Sequence, residues 1–255
     1  MNWIKKKILV VVKSYPERSK KHGSVVCTAG ITEDGEWIRI YPVPFEFFRG
    51  SNRIPKYTWI EAEVKKASGE KLNRKESHKV RDGSIRIVDD SLTKRPTDWE
   101  SRNKYVLPMI SNSIEDLQNA FSENNTSLGL VKPKKVFDFY RTKELVTKVD
   151  DDILKIRQKT LEDEDRTLLE ELPHIFKYQF SCNGKCKHNL TCEDWELFQS
   201  YRSWRWRYKT PEILWDKIYQ RYYTKMIEKC NLYFYLGTHS MYPVWMIIGL
   251  FYPPK

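Results

Sequence analysis

The segment Cys182-Asn-Gly-Lys-Cys186-Lys-His188-Asn-Leu-Thr-Cys192 places three thiols and an imidazole within eleven residues. Soft and borderline donors at that density suit tetrahedral zinc. Gly184 lets the chain turn tightly among them. The spacing, C-x3-C-x-H-x3-C, matches neither a zinc knuckle nor a two-Cys, two-His finger. Cys182, Cys186 and His188 form the nucleus of the set, to be completed by Cys192, by an acid, by His174 or by Cys230. Cys182, Cys186, Cys192 and Cys230 would instead suit an iron–sulfur cluster. Without metal the segment is a loop of free thiols, with Cys192 and Cys230 in the core.

Asp194-Trp195-Glu196 follows at once. Asp194 is placed to cap a helix, and both acids complement a helix N-terminus. As metal ligands of a nuclease, Asp194 and Glu196 are the candidate catalytic pair, although no matching lysine or HNH pattern accompanies them. Further on, Tyr201–Lys209 (YRSWRWRYK) interleaves four aromatic with four cationic residues. On a helix, Arg202, Arg205 and Lys209 share one side with Trp206 at its edge, a surface suited to phosphates and an unpaired base. The competing reading packs Trp204 and Tyr208 inward and leaves a solvated face. Near the N-terminus, strand alternation puts Trp37, Arg39 and Tyr41 on one face and Tyr57 and Trp59 on another that a sheet would gather with it. Rings beside a guanidinium make a stacking platform for single strands. Packing against a helix or a second domain is the alternative for that face, and Glu61 and Glu63 beside it repel phosphate. Glu76-Ser77-His78, within the basic loop Lys71–Arg81, reads as a charged surface loop, with a catalytic role as the alternative. No P-loop, dinucleotide fingerprint, nucleophile elbow or HExxH motif is found.

Several elements must position these groups. Lys7–Tyr15 is a continuous apolar run, as in a strand buried on both faces. Ser24–Ile31 and Trp37–Val43 flank Asp34-Gly35, a hairpin signal. Lys56–Lys65, Ser84–Val88 and Val131–Phe139 read as further strands, and Ser113–Asn124 as a helix capped by Ser113. Residues 149–171 carry nine acids and four bases at helical spacing, which suggests an acidic connector. Beyond it lie a strand at Phe176–Ser181, helices at Glu193–Tyr208 and Pro211–Lys229, and strands at Leu232–Gly237 and Val244–Tyr252.

Length and composition bound the rest. The 255 residues allow one large domain or two small ones, and 40% apolar content supports a core rather than disorder. No run approaches the ~20 apolar residues of a membrane helix. The start lacks a signal-peptide pattern, and the odd count of five cysteines argues against a disulfide framework. A cytoplasmic protein is expected. A net charge of +11 and a pI near 9.3 favour a polyanionic partner.

The strings Val26-Cys27-Thr28-Ala29-Gly30, Trp37-Ile38-Arg39-Ile40-Tyr41-Pro42-Val43 and Lys56-Tyr57-Thr58-Trp59-Ile60 recur in this order with the Cys186–His188 and Asp194–Glu196 segments. With the endings Tyr233–Thr238 and Ile248–Pro253, they resemble a bacterial and archaeal family of no assigned activity associated with mobile-element and antiviral-defence loci. The chain is also similar to dual-OB proteins of such loci. The resemblance runs full length and implies a defence or mobile-element context, but no catalytic residues. In the family pattern a glycine precedes the histidine of the cluster, whereas here Lys187 does.

Together these readings predict an α+β protein. An OB-like β-barrel domain is expected at 1–148, an acidic helical connector at 149–172, and an α+β domain with the Cys/His metal loop and basic-aromatic helix at 173–255. The expected function is binding of nucleic acid, single-stranded or distorted. A metal-dependent nuclease or nucleic-acid-modifying enzyme and a protein-interaction scaffold of a multi-component defence system are the alternatives.

Overall fold

The computed structural model describes residues 2–14, 17–19, 23–44, 53–68, 73–94, 96–143, 174–184, 186–239 and 242–255. The expected acidic connector, 149–172, lies wholly outside them. Seven strands form the first sheet: β1 (Ile4–Lys13), β2 (Glu17–Ser19), β3 (Gly23–Thr32), β4 (Trp37–Pro44), β5 (Thr58–Lys66), β6 (Ser77–Val80) and β7 (Arg86–Asp89). The order β1-β3-β4-β6-β5 closes on itself because β1 also pairs with β5. The ring is antiparallel except for β4 and β6, which run parallel. A five-stranded closed ring with this single parallel pairing is the OB path.

The local causes are plain. β3 and β4 are joined by the expected turn: Gly35 takes φ 78°, and Thr32 N–H donates to Glu36 O at 2.8 Å. β1 is buried on both faces for two different reasons. Ile8 and Val10 point into the barrel with Ile38, Ile60 and Val64. Leu9, Val11 and Val12 point out of it, into a second cluster shared with Leu128, Leu130, Tyr235 and Phe251.

That second cluster is the interface with a second sheet, made of β8 (Ile110–Ser111), β9 (Leu128–Val131), β10 (Lys135–Lys143), β11 (His174–Ser181), β12 (Lys187–Cys192), β13 (Tyr233–Thr238) and β14 (Trp245–Phe251). Its order is β10-β11-β12-β14-β13-β9-β8. β9 and β10 are consecutive, and Pro133 between them supplies no N–H to a ladder. β9 pairs with β13 and β10 with β11, so the two act as one interrupted first strand. β12 and β14 run parallel. The path therefore repeats that of the first barrel. The second sheet starts near residue 110, so the chain divides there and not at the acidic segment 149–172.

Helices fill the corners. α1 (Trp99–Val106), not anticipated, is capped by Asp98. α2 (Ile114–Asn124) is capped by Ser113, as expected. Between β12 and β13 come α3 (Trp195–Arg207), α4 (Pro211–Tyr219), a π-helical turn at Gln220–Thr224 and α5 (Lys225–Lys229). Their apolar faces, with Leu197, Tyr201, Leu214, Ile218 and Met226, bury against Phe139, Phe176 and Phe234 of the second sheet. Among the described residues no helix is long and apolar enough to cross a membrane.

Buried polar groups also bridge the two barrels. Glu76 accepts from Ser127 N (3.0 Å) and Ser127 Oγ (2.6 Å). Arg39 donates to Ser127 O (3.0 Å), and Lys56 donates to Asp194 (2.8 Å).

Candidate functional site

The Cys/His segment is a β-hairpin, not a free loop: β11 and β12 pair from Phe176–Cys192 to Ser181–Lys187. Its turn brings Cys182 and His188 together, with Cys182 Sγ 3.3 Å from His188 Nε2. The third group is Glu115, from the first turn of α2. Its Oε2 lies 3.7 Å from Cys182 Sγ and 3.7 Å from His188 Nε2. Zinc bonds of about 2.0–2.3 Å at tetrahedral angles imply donor separations of roughly 3.3–3.6 Å. The three atoms thus fit one ion. Cys186 N–H donates to Glu115 Oε1 at 3.2 Å. A Cβ on Gly184 would collide with the Glu115 carboxylate, so glycine is what lets α2 approach the turn.

Burial pushes the His188 imidazole down, opposed by Glu115. Burial pushes Glu115 up, but backbone N–H groups at the start of α2 and Cys186 hold it below the ordinary carboxylate range. Cys192, expected as a fourth ligand, is not part of this group. It ends β12, four residues and so roughly 13 Å from His188. It is fully buried, which pushes its thiol well up, and pairs across the sheet with Phe176 and Ile247. Cys230 sits beside Pro254, so the thiols do not form an iron–sulfur set.

Asp194 is a structural residue. Its carboxylate accepts from Leu197 N (3.0 Å), Leu250 N (3.0 Å) and Lys56 Nζ (2.8 Å), and its side chain is 1% exposed. No lone pair faces solvent to hold a catalytic metal. Glu196 is 41% exposed but bonded to the same Lys56 at 2.9 Å. Burial acts against the Lys56 charge, yet Asp194 and Glu196 hold its pKa well above the ordinary lysine value.

The N-terminal aromatic face is covered by the second barrel and by α1, so of its two readings the packed one holds and the open stacking platform does not. Trp37 packs edge-on to Tyr235, with centroids 6.1 Å apart. Arg39 is buried on Ser127 and Thr238. Tyr57 lies against Phe251 and Trp59 against Tyr105, both buried. Tyr41 is half-buried. Large rings on a strand face are packed here, and the partner is the sister barrel.

The basic-aromatic helix is differently placed. Trp204 and Tyr208 pack inward on the second core. Trp206 is 75% exposed, and the Arg205 guanidinium lies 4.8 Å from its ring centre. Helix α3 ends at Arg207, with Tyr208 turned to an extended C-cap, so Lys209 falls beyond the helix and off the expected stripe. Arg202 faces a cleft of about 530 Å³ where α3 meets the first barrel. Among the described residues the other cations of that cleft are Lys13, Arg53 and Lys56, and its one acid is Glu196. Burial brings the Lys13 pKa down to about 8, although Glu196 opposes the shift. Sequence reasoning missed Lys13, Arg53 and Lys56 because single lysines and arginines in unlike segments carry no spacing signal. A second lobe of about 430 Å³ shares Pro55, Lys56 and Glu196 and continues to Trp99, Arg102, Arg221 and Tyr252.

Two OB-type barrels in tandem, clamped by a buried polar seam and opening on a cationic cleft, define the class of protein. The chain belongs to the family described as Domain of unknown function (DUF8757), which matches residues 110–255. Residues 4–108 match a second family, described as Domain of unknown function (DUF8758). The junction of the two matches coincides with the junction of the two sheets. No curated protein matches the sequence. Among solved structures, a chain of a replication protein A heterotrimer bound to ssDNA is similar at 14% identity and TM-score 0.40, covering 100% of this chain and 50% of that one. This protein thus spans half the length of that matched chain.

Proposed function

We propose that the protein binds nucleic acid in single-stranded or distorted form, along the cleft between the barrels and the adjoining face of α3. The observation that supports this is the convergence of Lys13, Arg53 and Arg202 on one cleft where, among the described residues, the single lining acid, Glu196, is already engaged by the buried Lys56. Trp206, exposed on the same helix as Arg202, offers a ring to an unstacked base. Both barrels contribute to the cleft, so the buried seam that fixes their orientation also fixes the spacing of the charges.

The proposal takes zinc as the ion of the Glu115–Cys182–His188 corner and gives it a structural role. One sulfur, one nitrogen and one carboxylate suit zinc better than an iron–sulfur cluster, which needs thiolates. The nuclease reading is not carried forward, since Asp194 is spent on two backbone N–H groups and Lys56.

The test is fluorescence anisotropy with a labelled 15-mer, as single strand and as blunt duplex, in DNA and RNA. Tighter binding of single strands than of duplex supports the proposal, and equal or absent binding refutes it.

A further inference from the structure

The second lobe of the cleft contains a charge problem. Arg102 is 8% exposed. Among the described residues no carboxylate pairs with it. Its Nε and Nη2 both donate to Leu92 O (2.8 and 2.5 Å), and its guanidinium lies 4.1 Å from the Tyr57 ring centre and 5.1 Å from that of Trp99. Burial lowers its pKa. A carbonyl and two π faces solvate a cation but do not neutralise it, and a buried charge without a counterion is costly. Arg102 nevertheless lines a lobe of about 430 Å³ together with a second guanidinium, Arg221. Glu196 shares the lobe, but Lys56 already holds it.

The walls are aromatic. Trp99 and Tyr252 are both half-buried, with centroids 5.7 Å apart and planes inclined by 54°. They are too close and too tilted to sandwich a third ring, and the Arg102 and Arg221 guanidiniums lie 5.1 and 5.5 Å from the Trp99 and Tyr252 ring centres, so the aromatic and cationic surfaces of the lobe adjoin. The lobe has the size of a small-ligand site, a few hundred Å³. It therefore admits one flat, anionic unit and not a folded polymer. It adjoins the cationic lobe, with Pro55, Lys56 and Glu196 lining both.

We propose that this lobe holds a single nucleotide of a bound strand, its base against Trp99 and Tyr252 and its phosphate on Arg102 and Arg221. The proposal rests on the nucleic-acid reading above and names the subsite within it. The strand's next phosphates then fall toward Lys13, Arg53 and Arg202. The counterion that Arg102 lacks is supplied by the ligand.

The experiment uses the wild-type full chain and a single-stranded 15-mer carrying 5-iodouracil at one position, irradiated and mapped by mass spectrometry. The expected result is an adduct on Trp99 or Tyr252. In parallel, Trp99→Leu should weaken single-strand binding roughly tenfold with an unchanged salt slope, as loss of one stacked base does. Arg221→Ala, at the half-buried rim, should flatten the log–log salt slope by about 0.7, one single-strand phosphate contact. Melting temperatures of both variants control for folding. If adducts fall only on Trp206 and both variants bind as wild type does, the subsite is wrong while the nucleic-acid reading stands. If wild type binds pyrophosphate but no oligonucleotide, or binds neither, both fail.

Discussion

Asp194→Ala removes the residue on which the two barrels turn. In the wild type one carboxylate satisfies the N-terminus of α3, the Leu250 N–H of β14 and the buried ammonium of Lys56. The alanine variant loses a helix cap, worth about 1 kcal/mol. It leaves Lys56 buried with only the half-exposed Glu196 as partner, and breaking one side of a buried pair costs about 3–5 kcal/mol. These terms overlap, so a total of about 4 kcal/mol is expected. For a domain of this size that lowers the melting temperature by roughly 8–16 °C. Asp194→Asn keeps the cap and one acceptor and should lose less. Adding Lys56→Met to Asp194→Asn removes the stranded charge and should recover part of the loss, giving a coupling of about 1–3 kcal/mol. Lys56 is charged at neutral pH in both folded and unfolded chains. Because its folded pKa is raised, its contribution is complete below the ordinary lysine pKa and is lost only as pH climbs toward the folded value. The effect should therefore be flat from pH 6 to 9. Urea unfolding followed by tryptophan fluorescence measures it. A loss under 1 kcal/mol for Asp194→Ala, or no coupling in the double variant, would refute the seam as described.

Arg202→Ala with Arg205→Ala should weaken binding of every single strand and flatten the salt dependence, and Trp206→Ala should weaken it with the slope unchanged. Anisotropy over a salt series checks both. Lys13, lowered in the folded state to about 8, binds its proton more weakly than in the unfolded chain, so stability should rise with pH between about 8 and 10.5. Lys13→Met should abolish that rise in urea titrations. Glu115→Gln and Cys182→Ser should each reduce zinc content by elemental analysis and lower the melting temperature, while Cys192→Ser should leave zinc content unchanged. Gly184→Ala should do what Glu115→Gln does, because its added methyl displaces the carboxylate.

Local signals in the sequence were read where their cause was local. Ser113 and Asp194 cap helices because their side chains reach N–H groups three residues on. Asp34-Gly35 turns the chain because glycine accepts a positive φ. The apolar run of β1 correctly implied burial on both faces, but not that a second barrel provides one of them. The same gap misdirected the reading of Trp37, Arg39, Tyr57 and Trp59: alternation separates two faces of a strand and is silent on what covers the second. The second barrel was illegible as such because Pro133 splits its first strand and three helices interrupt the path between β12 and β13. Glu115 was beyond spacing arguments, standing 67 positions from Cys182 in the chain. Arg102 carries no motif, and Lys56 only opens a string of the family resemblance that assigns it no role; their meaning comes from burial.

The central claim is that cations from both barrels converge on one strand-binding cleft. The direct measurement is wild-type affinity for a single-stranded 15-mer from 50 to 300 mM salt, beside Arg53→Ala with Arg202→Ala. About 0.7 of log–log slope is expected per phosphate contact, so three to four contacts give a slope of roughly −2 to −3. The double variant should flatten it by about 1.4 while melting as wild type does. A wild-type slope near zero, or an unchanged slope in the double variant, would contradict the account.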